Sequence, residues 1–378
     1  MASGILYKND DSDIILLDIT RSIESAQGDS NKRIISSSPL EHPYPSVEPK
    51  SAKAKAKLGE VPIEDILLQK YLQLALGGLK ECYQGEWCLP REIGTPEILA
   101  QGKKRKRKKI STEEKCQNDR ESDQLKREYL RSDSIHNNVH SSLFCNRNSS
   151  PIYHTTSDGL RARLPPHSTA LYGDITTSLE TFTQSAPQFN LIIMDPPWPN
   201  RSARRKSSYS ISYSTTEINT LLSSIPLNDH LAEDGFVAVW VTNKVAFRDA
   251  LLQDGGLFDE WGIELVEEWV WVKIAVSGAT ICALDSVWRK PYEILLVGRK
   301  KGKVRTGKKD VRRRVIIAVP DLHSRKPNLK ALFEDMMGTE KYEALEIFAR
   351  NLTAGWWAWG NEVLKFQTDE HWIDETNL

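Results

Sequence analysis

The stretch Leu191-Ile-Ile-Met-Asp195-Pro196-Pro197-Trp198 places a carboxylate, two prolines and an indole directly after four apolar residues. Such an apolar run reads as a strand buried on both faces, so the acid falls at its carboxyl edge, where open α/β sheets bind ligands. Prolines have no backbone N–H and a fixed φ. The turn is therefore rigid, and the carbonyls of Asp195 and Pro196 are expected to face a pocket, unpaired by a strand ladder. A carboxylate beside a free carbonyl suits an amine whose lone pair is delocalised, such as the exocyclic amine of adenine. Both acceptors take its N–H hydrogens, orient it and favour the positive charge that develops during attack. Trp198 would supply a flat apolar wall for the base. The competing reading is a plain Pro-Pro turn with a half-buried tryptophan, and the apolar run before it with the aromatic after it weighs against that.

Further candidates carry weaker local signals. Lys326 beside Pro327 reads by itself as a solvated helix-start residue. Arg350 and Asn361 read equally well as structural hydrogen-bonding groups, and Trp356, Trp357 and Trp359 as core or rim. After Trp198 comes Pro199-Asn-Arg201-Ser-Ala-Arg204-Arg205-Lys206, and a second basic run extends from Arg299 to Arg314. Both are expected to leave carboxyl-side edges of the sheet and to form a positive collar that holds phosphates; two solvated loops are the bland alternative. Lys103-Lys-Arg-Lys-Arg-Lys-Lys109 is an uninterrupted basic block, which reads as a nuclear import signal or a nucleic-acid tether. No Gly-x-Gly-x-x-Gly is present, so a dinucleotide reading has no support. Cys82, Cys88, Cys116, Cys145 and Cys282 are scattered without Cys-x-x-Cys spacing, which predicts reduced thiols with neither a zinc site nor a disulfide frame.

These groups must be positioned by the surrounding elements. The chain has 378 residues, 39% hydrophobic and 27% charged, enough for two domains and incompatible with a wholly disordered or fibrous protein. Its 51 basic and 51 acidic residues cancel, so any case for nucleic-acid binding rests on where charges cluster. No membrane span or secretory signal is expected, which makes the chain intracellular by default. Residues 1–100 read as a smaller, partly flexible N-terminal module, with most of the first sixty mobile. Pro62 opens a helix in which Ile63, Ile66, Leu67 and Leu74 share a face that can pack, and Gly77-Gly78 stops it. Residues 101–150 read as a basic, poorly ordered linker. From about Leu171, apolar runs at 191–194, 236–241, 269–274, 293–297 and 315–319 alternate with helical patterns. One of those begins at the capping box Ser214-Thr-Thr-Glu217, and another follows Pro327 and ends at Gly338. The alternation predicts a mostly parallel α/β sheet over residues 160–378.

The Asp195–Trp198 stretch resembles the Asp-Pro-Pro-Trp motif of the MT-A70 family of S-adenosylmethionine-dependent adenine N6-methyltransferases. His323-Ser-Arg-Lys-Pro327 resembles that family's Ser-x-Lys-Pro segment, and Glu346 to Phe366 is similar to its methyltransferase-like four branch. The resemblance covers about residues 170–366 and implies a Rossmann-like methyltransferase fold with the motifs in permuted order. By position it implies that Asp174 and Ile175, in Leu171-Tyr-Gly-Asp-Ile175, bind the cofactor's adenine. Asp195 would face the cofactor's amine and Lys326 its carboxylate, Arg350 and Asn351 would hold the ribose, and Asn361 with Glu362 would complete the nucleoside pocket. Better-known members carry two further residues between the arginine and the asparagine, which leaves one ribose contact absent or reassigned in this chain. Tyr213 and Glu293 match substrate-side positions, with Trp271 and Trp288 expected to line the same space.

The reaction implied is direct methyl transfer to N6 of an adenine, splayed or flipped out of its strand, without a metal. Asp195 and the Pro196 carbonyl would orient the amine, Pro197 would shape the turn, and solvent or Asp195 would take the proton. The branch implies an RNA substrate, an internal and 2′-O-methylated adenosine of U2 small nuclear RNA. DNA adenine is the alternative, and a catalytically silent RNA-binding scaffold is a second. A monomeric nuclear enzyme without an obligate partner is expected.

Overall fold

The computed structural model describes residues 4–29, 31–45, 61–95, 142–156, 159–199, 214–286, 289–302 and 310–375. Strands form where the apolar runs predict them, at Phe189–Met194, Leu231–Val241, Ile263–Lys273, Tyr292–Lys300 and Arg312–Ala318. Their residues alternate between two covered faces. Ile192 and Met194 join one buried cluster with Phe182, Val237 and Trp359, while Leu191 and Ile193 join another with Trp240, Trp269 and Phe333. A strand covered on both sides has no position for a polar face, which is why the runs are continuous.

The strands belong to an eleven-stranded sheet. In spatial order it runs Ile5–Lys8, Ile14–Leu17, Arg312–Ala318, Ile263–Lys273, Tyr292–Lys300, Leu231–Val241, Phe189–Met194, Ala344–Ile347, Trp357–Gly360, Thr169–Tyr172 and Ser142–Cys145. From Leu231–Val241 through Thr169–Tyr172 all neighbours are parallel. The sheet as a whole is mixed, because Tyr292–Lys300 is antiparallel to both of its neighbours and two edge pairs are antiparallel as well. The chain leaves Phe189–Met194 toward Leu231–Val241 on one side, and leaves Ala344–Ile347 toward Trp357–Gly360 on the other. The loops after Met194 and Ile347 therefore diverge, and a crevice opens between them at the carboxyl edge.

The helices carry the expected local signals. Ser214 and Glu217 form the capping box of helix Thr215–Ser223. Helix Lys330–Met337 buries Leu332 and Phe333 and ends at Gly338, whose φ of 66° lies in the left-handed region that glycine tolerates.

Three expectations are corrected. Residues 1–100 do not form a separate module. Ile14–Leu17 pairs in parallel with Arg312–Ala318, and Lys32–Ser36 pairs with Trp372–Asp374 from the opposite end of the chain. Four apolar residues among polar ones read as weak by themselves, yet Ile15, Leu16 and Leu17 are fully buried once the edge strand beside them is supplied. The linker also ends earlier than expected, since Ser142–Cys145 pairs with Thr169–Tyr172; residues 96–141, with the basic block 103–109, lie outside the described residues. Third, helix Ile63–Cys82 runs through Gly77-Gly78 and buries the other face. Leu68, Leu72, Ala75, Leu76 and Leu79 pack inward, while Ile63, Ile66, Leu67 and Leu74 are exposed, Leu74 by 76%. Both faces are apolar, so periodicity alone could not choose between them.

Candidate active site

Asp195 is the first residue after the Phe189–Met194 strand, at the crevice. Its backbone N–H reaches across to the Ile347 carbonyl at 3.4 Å. Its carboxylate is held on both sides: Lys326 Nζ donates to Oδ1 at 3.0 Å, and Arg350 Nη1 donates to Oδ2 at 3.2 Å. Lys326 also pairs with Glu293 Oε2 at 2.9 Å, and Glu293 with Lys273. Arg350 Nε donates to Glu362 Oε2 at 2.9 Å, and Glu362 accepts from Lys365 at 2.8 Å. The result is a chain of alternating charges, Lys273–Glu293–Lys326–Asp195–Arg350–Glu362–Lys365, along the carboxyl edge. It arises because five of the seven sit within three residues of the end of a sheet strand at this edge, while Lys326 comes from the segment before helix Lys330–Met337 and Lys365 from the turn after Trp357–Gly360.

The charges set one another's protonation. Burial alone would raise the Glu293 carboxyl, but the ammonium groups of Lys326 and Lys273 outweigh it and hold the carboxyl well below the usual range. Burial would lower Lys326, and Asp195 and Glu293 reverse that, holding it above the usual lysine range. Glu362 is likewise lowered, with Arg350 and Lys365 outweighing its burial. Glu346 behaves differently. Burial first, then the Asp195 charge, push its carboxyl up to about 7, with Arg350 and Lys326 offsetting only part.

The pocket between these groups is lined by Asp195, Trp240, Ser324, Lys326, Glu346, Phe348, Arg350, Asn351 and Trp356. Within it the buried Oδ1 of Asn351 has no hydrogen-bond donor among the described residues, and the Glu346 carboxyl lies near the charges of Arg350 and Lys326. Sequence reading missed Glu346. Its signal was a lone acid inside the apolar run Ala344-Leu-Glu-Ile347, which a strand buried on both faces would not carry without a use.

The remaining expected residues fall into groups. Asp174 caps helix Ile175–Ser185, with Oδ1 accepting from the Thr176 N–H at 3.0 Å, and it stands at the same edge beyond Thr169–Tyr172. The Ile175 side chain is buried. Asn361 is exposed beside Glu362 at the end of Trp357–Gly360. Pro197 is half-buried in the turn. Arg201, Arg204, Arg205, Lys206, Tyr213 and Trp288 lie outside the described residues.

Four site expectations are corrected. Trp198 does not wall the pocket; it is 7% exposed, its Nε1 donates to the Trp240 carbonyl at 2.6 Å, and its ring stacks on Phe247 at 4.8 Å. It anchors the turn instead. The Pro196 carbonyl is not free, because it accepts the Trp198 N–H at 2.7 Å, leaving one lone pair for a ligand. Trp271 is buried behind Trp240, edge-to-face at 6.1 Å, and does not line the pocket. Arg299 to Arg314 connects the wrong edge for a collar. Tyr292–Lys300 runs antiparallel, so Arg299 lies opposite Phe236, and Arg312 opposite Glu267, at the far end of the strands from Asp195. Arg313 and Arg314 are spent there on Glu268 and Glu267.

A charged Asp-Pro-Pro-Trp turn at the switch point of a sheet whose central strands run parallel, with acids and amides at the ends of the next strands, defines a Rossmann-like methyltransferase domain. Residues 189–362 match the MT-A70 family model. Over 386 aligned residues the chain is 37% identical to the N6-methyladenosine RNA methyltransferase MTA1 of Cryphonectria parasitica, covering 99% of this chain and 95% of that one. It is 37% identical to the protein of the same name from Pyricularia oryzae, covering 99% and 97%. It is 38% identical to the N(6)-adenine-specific methyltransferase METTL4 of Mus musculus over 62% of this chain and 50% of that one. The chain belongs to the MT-A70 family and is an adenine N6-methyltransferase. No described helix is long and apolar enough to cross a membrane.

Proposed function

We propose that this enzyme methylates N6 of an adenosine in RNA, using S-adenosylmethionine. The observation that carries this reading is Asp195, held by a lysine and an arginine at the switch point beside the unpaired Oδ1 of Asn351 and the Glu346 carboxyl. The residues fit the cofactor. Its zwitterionic methionine end needs a cation and acceptors, which Lys326, Asp195 and Glu346 provide, and its ribose hydroxyls need acceptors such as Asn351 Oδ1 and Glu362. Asn361 and the Asp174–Ile175 backbone stand where the adenine would lie. When bound, the cofactor supplies an activated methyl group on a sulfonium.

The chain's own part is orientation. Each Asp195 oxygen has a lone pair beyond those given to Lys326 and Arg350, and Pro196 retains one on its carbonyl, so the two can accept both N–H hydrogens of the target amine. The charge chain holds Asp195 fixed between Lys326 and Arg350, so no reorganisation is needed as positive charge develops on the amine. Trp198, bonded to Trp240 and stacked on Phe247, locks the turn that aims these acceptors.

RNA is favoured because the relatives aligned along nearly the whole chain are named as RNA methyltransferases. By the branch resemblance the substrate is an internal, 2′-O-methylated adenosine of U2 small nuclear RNA and Glu293 with Tyr213 borders the base; Trp288 lines the same space, and the basic charge of Arg201 to Lys206 provides phosphate contacts. The enzyme acts as a monomer, and the basic block at 103–109 directs it to the nucleus. Mass spectrometry of nucleosides from matched RNA and DNA oligonucleotides, incubated with purified enzyme, tests the substrate; methylation of DNA alone overturns it. Normal nuclear accumulation of a variant with neutral residues at 103–109 overturns the import role.

A further inference from the structure

Lys326 lies in a turn rather than in a helix or strand, so its ammonium is only as well placed as the segment Val319–Asn328. That segment is fixed largely from the N-terminal part of the chain. Arg91 donates to the carbonyls of Val319 at 2.8 Å and Pro320 at 3.0 Å, and lies 3.8 Å from Asp321. Asp321 accepts Arg325 at 2.6 Å and both the backbone and hydroxyl of Ser37, at 2.8 and 3.1 Å. Arg325 in turn donates to the Ile35 carbonyl at 2.9 Å. Beyond Lys326, the Asn328 N–H donates to Ser22 Oγ at 3.1 Å. The side chains of Arg91, Asp321 and Arg325 are 1%, 0% and 0% exposed.

We infer that Arg91, Asp321 and Arg325 are positioning residues, a buried ionic clamp through which the N-terminal contacts at Ser22, Ile35, Ser37 and Arg91 set the Lys326 ammonium between Asp195 and Glu293. Three charges have been removed from water here, which costs several kcal/mol per ion unless the geometry is excellent. Anchoring a surface turn does not require them, since carbonyls can bond to water. What the clamp adds is rigidity: a planar guanidinium gripping two successive carbonyls fixes the direction of the chain just before Lys326. The neighbouring turn is constrained too. Ser324 has a φ of 69°, and its carbonyl accepts Arg350 at 3.2 Å, so the same segment reaches both cations of the site.

The inference rests on the assignment of Lys326 to the cofactor's carboxylate. Calorimetry with S-adenosylhomocysteine on the full chain tests it by a double-mutant cycle. Arg91→Gln should weaken binding about tenfold, in the range of coupling through packed networks, and should weaken it no further in a Lys326→Met background. Turnover at saturating cofactor should fall much less than the affinity does. Equal weakening in both backgrounds would mark Arg91 as a general structural residue and overturn the inference, as would unchanged affinity in Arg91→Gln. If Arg91→Gln does not fold, Ser37→Ala removes one donor from Asp321 without burying a new charge, and the same cycle applies with an effect of about twofold. A wild-type chain that binds no S-adenosylhomocysteine overturns the cofactor assignment itself, whereas binding that is additive across the cycle overturns the clamp alone.

Discussion

The N-terminal segment, described at residues 4–29, 31–45 and 61–95, lends two strands to the sheet that holds the catalytic strands between 189 and 362, but the two regions contribute differently. The catalytic strands put charge at one edge and leave acceptors there open. The buried charges of the N-terminal segment are closed on partners: Asp18 accepts from Thr20, Arg21 and Leu89, Glu24 from Arg21, Arg33 and Ile34, and Arg91 is spent on the 319–321 turn. Gln27 Nε2 donates to the Leu352 carbonyl at 2.7 Å, the Ala354 N–H donates to the Ala26 carbonyl at 2.8 Å, and the Val276 N–H donates to the Leu40 carbonyl at 2.9 Å. One region performs chemistry with open valences, and the other braces the loops that hold them.

The largest effect that would test this contrast is Asp195→Ala. It should lower kcat/KM by at least about 10³-fold with the fold intact, since it removes an acceptor for the amine; wild-type turnover would mean that the crevice is not the reactive site. Next, Lys326→Met should weaken S-adenosylhomocysteine about 10²-fold by calorimetry, because Asp195 and Glu293 lose a shared cation that the cofactor's carboxylate also needs. On the bracing side, Leu72→Ala should cost about 2–5 kcal/mol in urea denaturation, the usual loss for a fully buried leucine, and leave kcat nearly unchanged. Substitution two residues on, Leu74→Ala, should stay within about 0.5 kcal/mol, because that side chain faces outward.

Glu346→Gln gives a smaller signal on the catalytic side. The folded carboxyl holds its proton to about pH 7, against 4.5 as its ordinary value, so the folded state binds more protons between those values. The stability this group contributes is fully present below pH 4.5 and is lost as pH rises through 7. Denaturation at pH 5 and pH 8 should show a smaller difference in Glu346→Gln than in wild type. Wild-type affinity for S-adenosylmethionine should also rise through pH 7, as the carboxylate forms to meet the ammonium, and this rise should flatten in the variant.

Much of the catalytic side was legible. Leu191–Trp198 announced a strand and its turn within eight residues, and Asp195, Lys326, Arg350, Asn351 and Glu362 do converge on one edge. What escaped was the use of each group. Trp198 looked like a wall for a base because an aromatic after a turn is ambiguous until Phe247 and the Trp240 carbonyl are placed beside it. Glu346 was missed because its importance lies in what surrounds it. The N-terminal segment was the least legible, since Ile14–Leu17 is too short to signal a strand without its neighbours at Arg312–Ala318.

By itself the sequence determined the local elements: the apolar runs that become strands, the capping box at Ser214, the glycine stop at 338 and the rigid acid turn at 195. These depend on residues within a few positions of one another, whose sterics and patterning act at short range. Tertiary structure alone decided strand direction, the buried face of helix Ile63–Cys82 and the pairing of charges. Antiparallel insertion of Tyr292–Lys300 carried Arg299–Arg314 to the edge away from Asp195, while bringing Glu293 to Lys326. Such outcomes are set by contacts among residues tens to hundreds of positions apart, where the gain from burial and pairing outweighs any local preference.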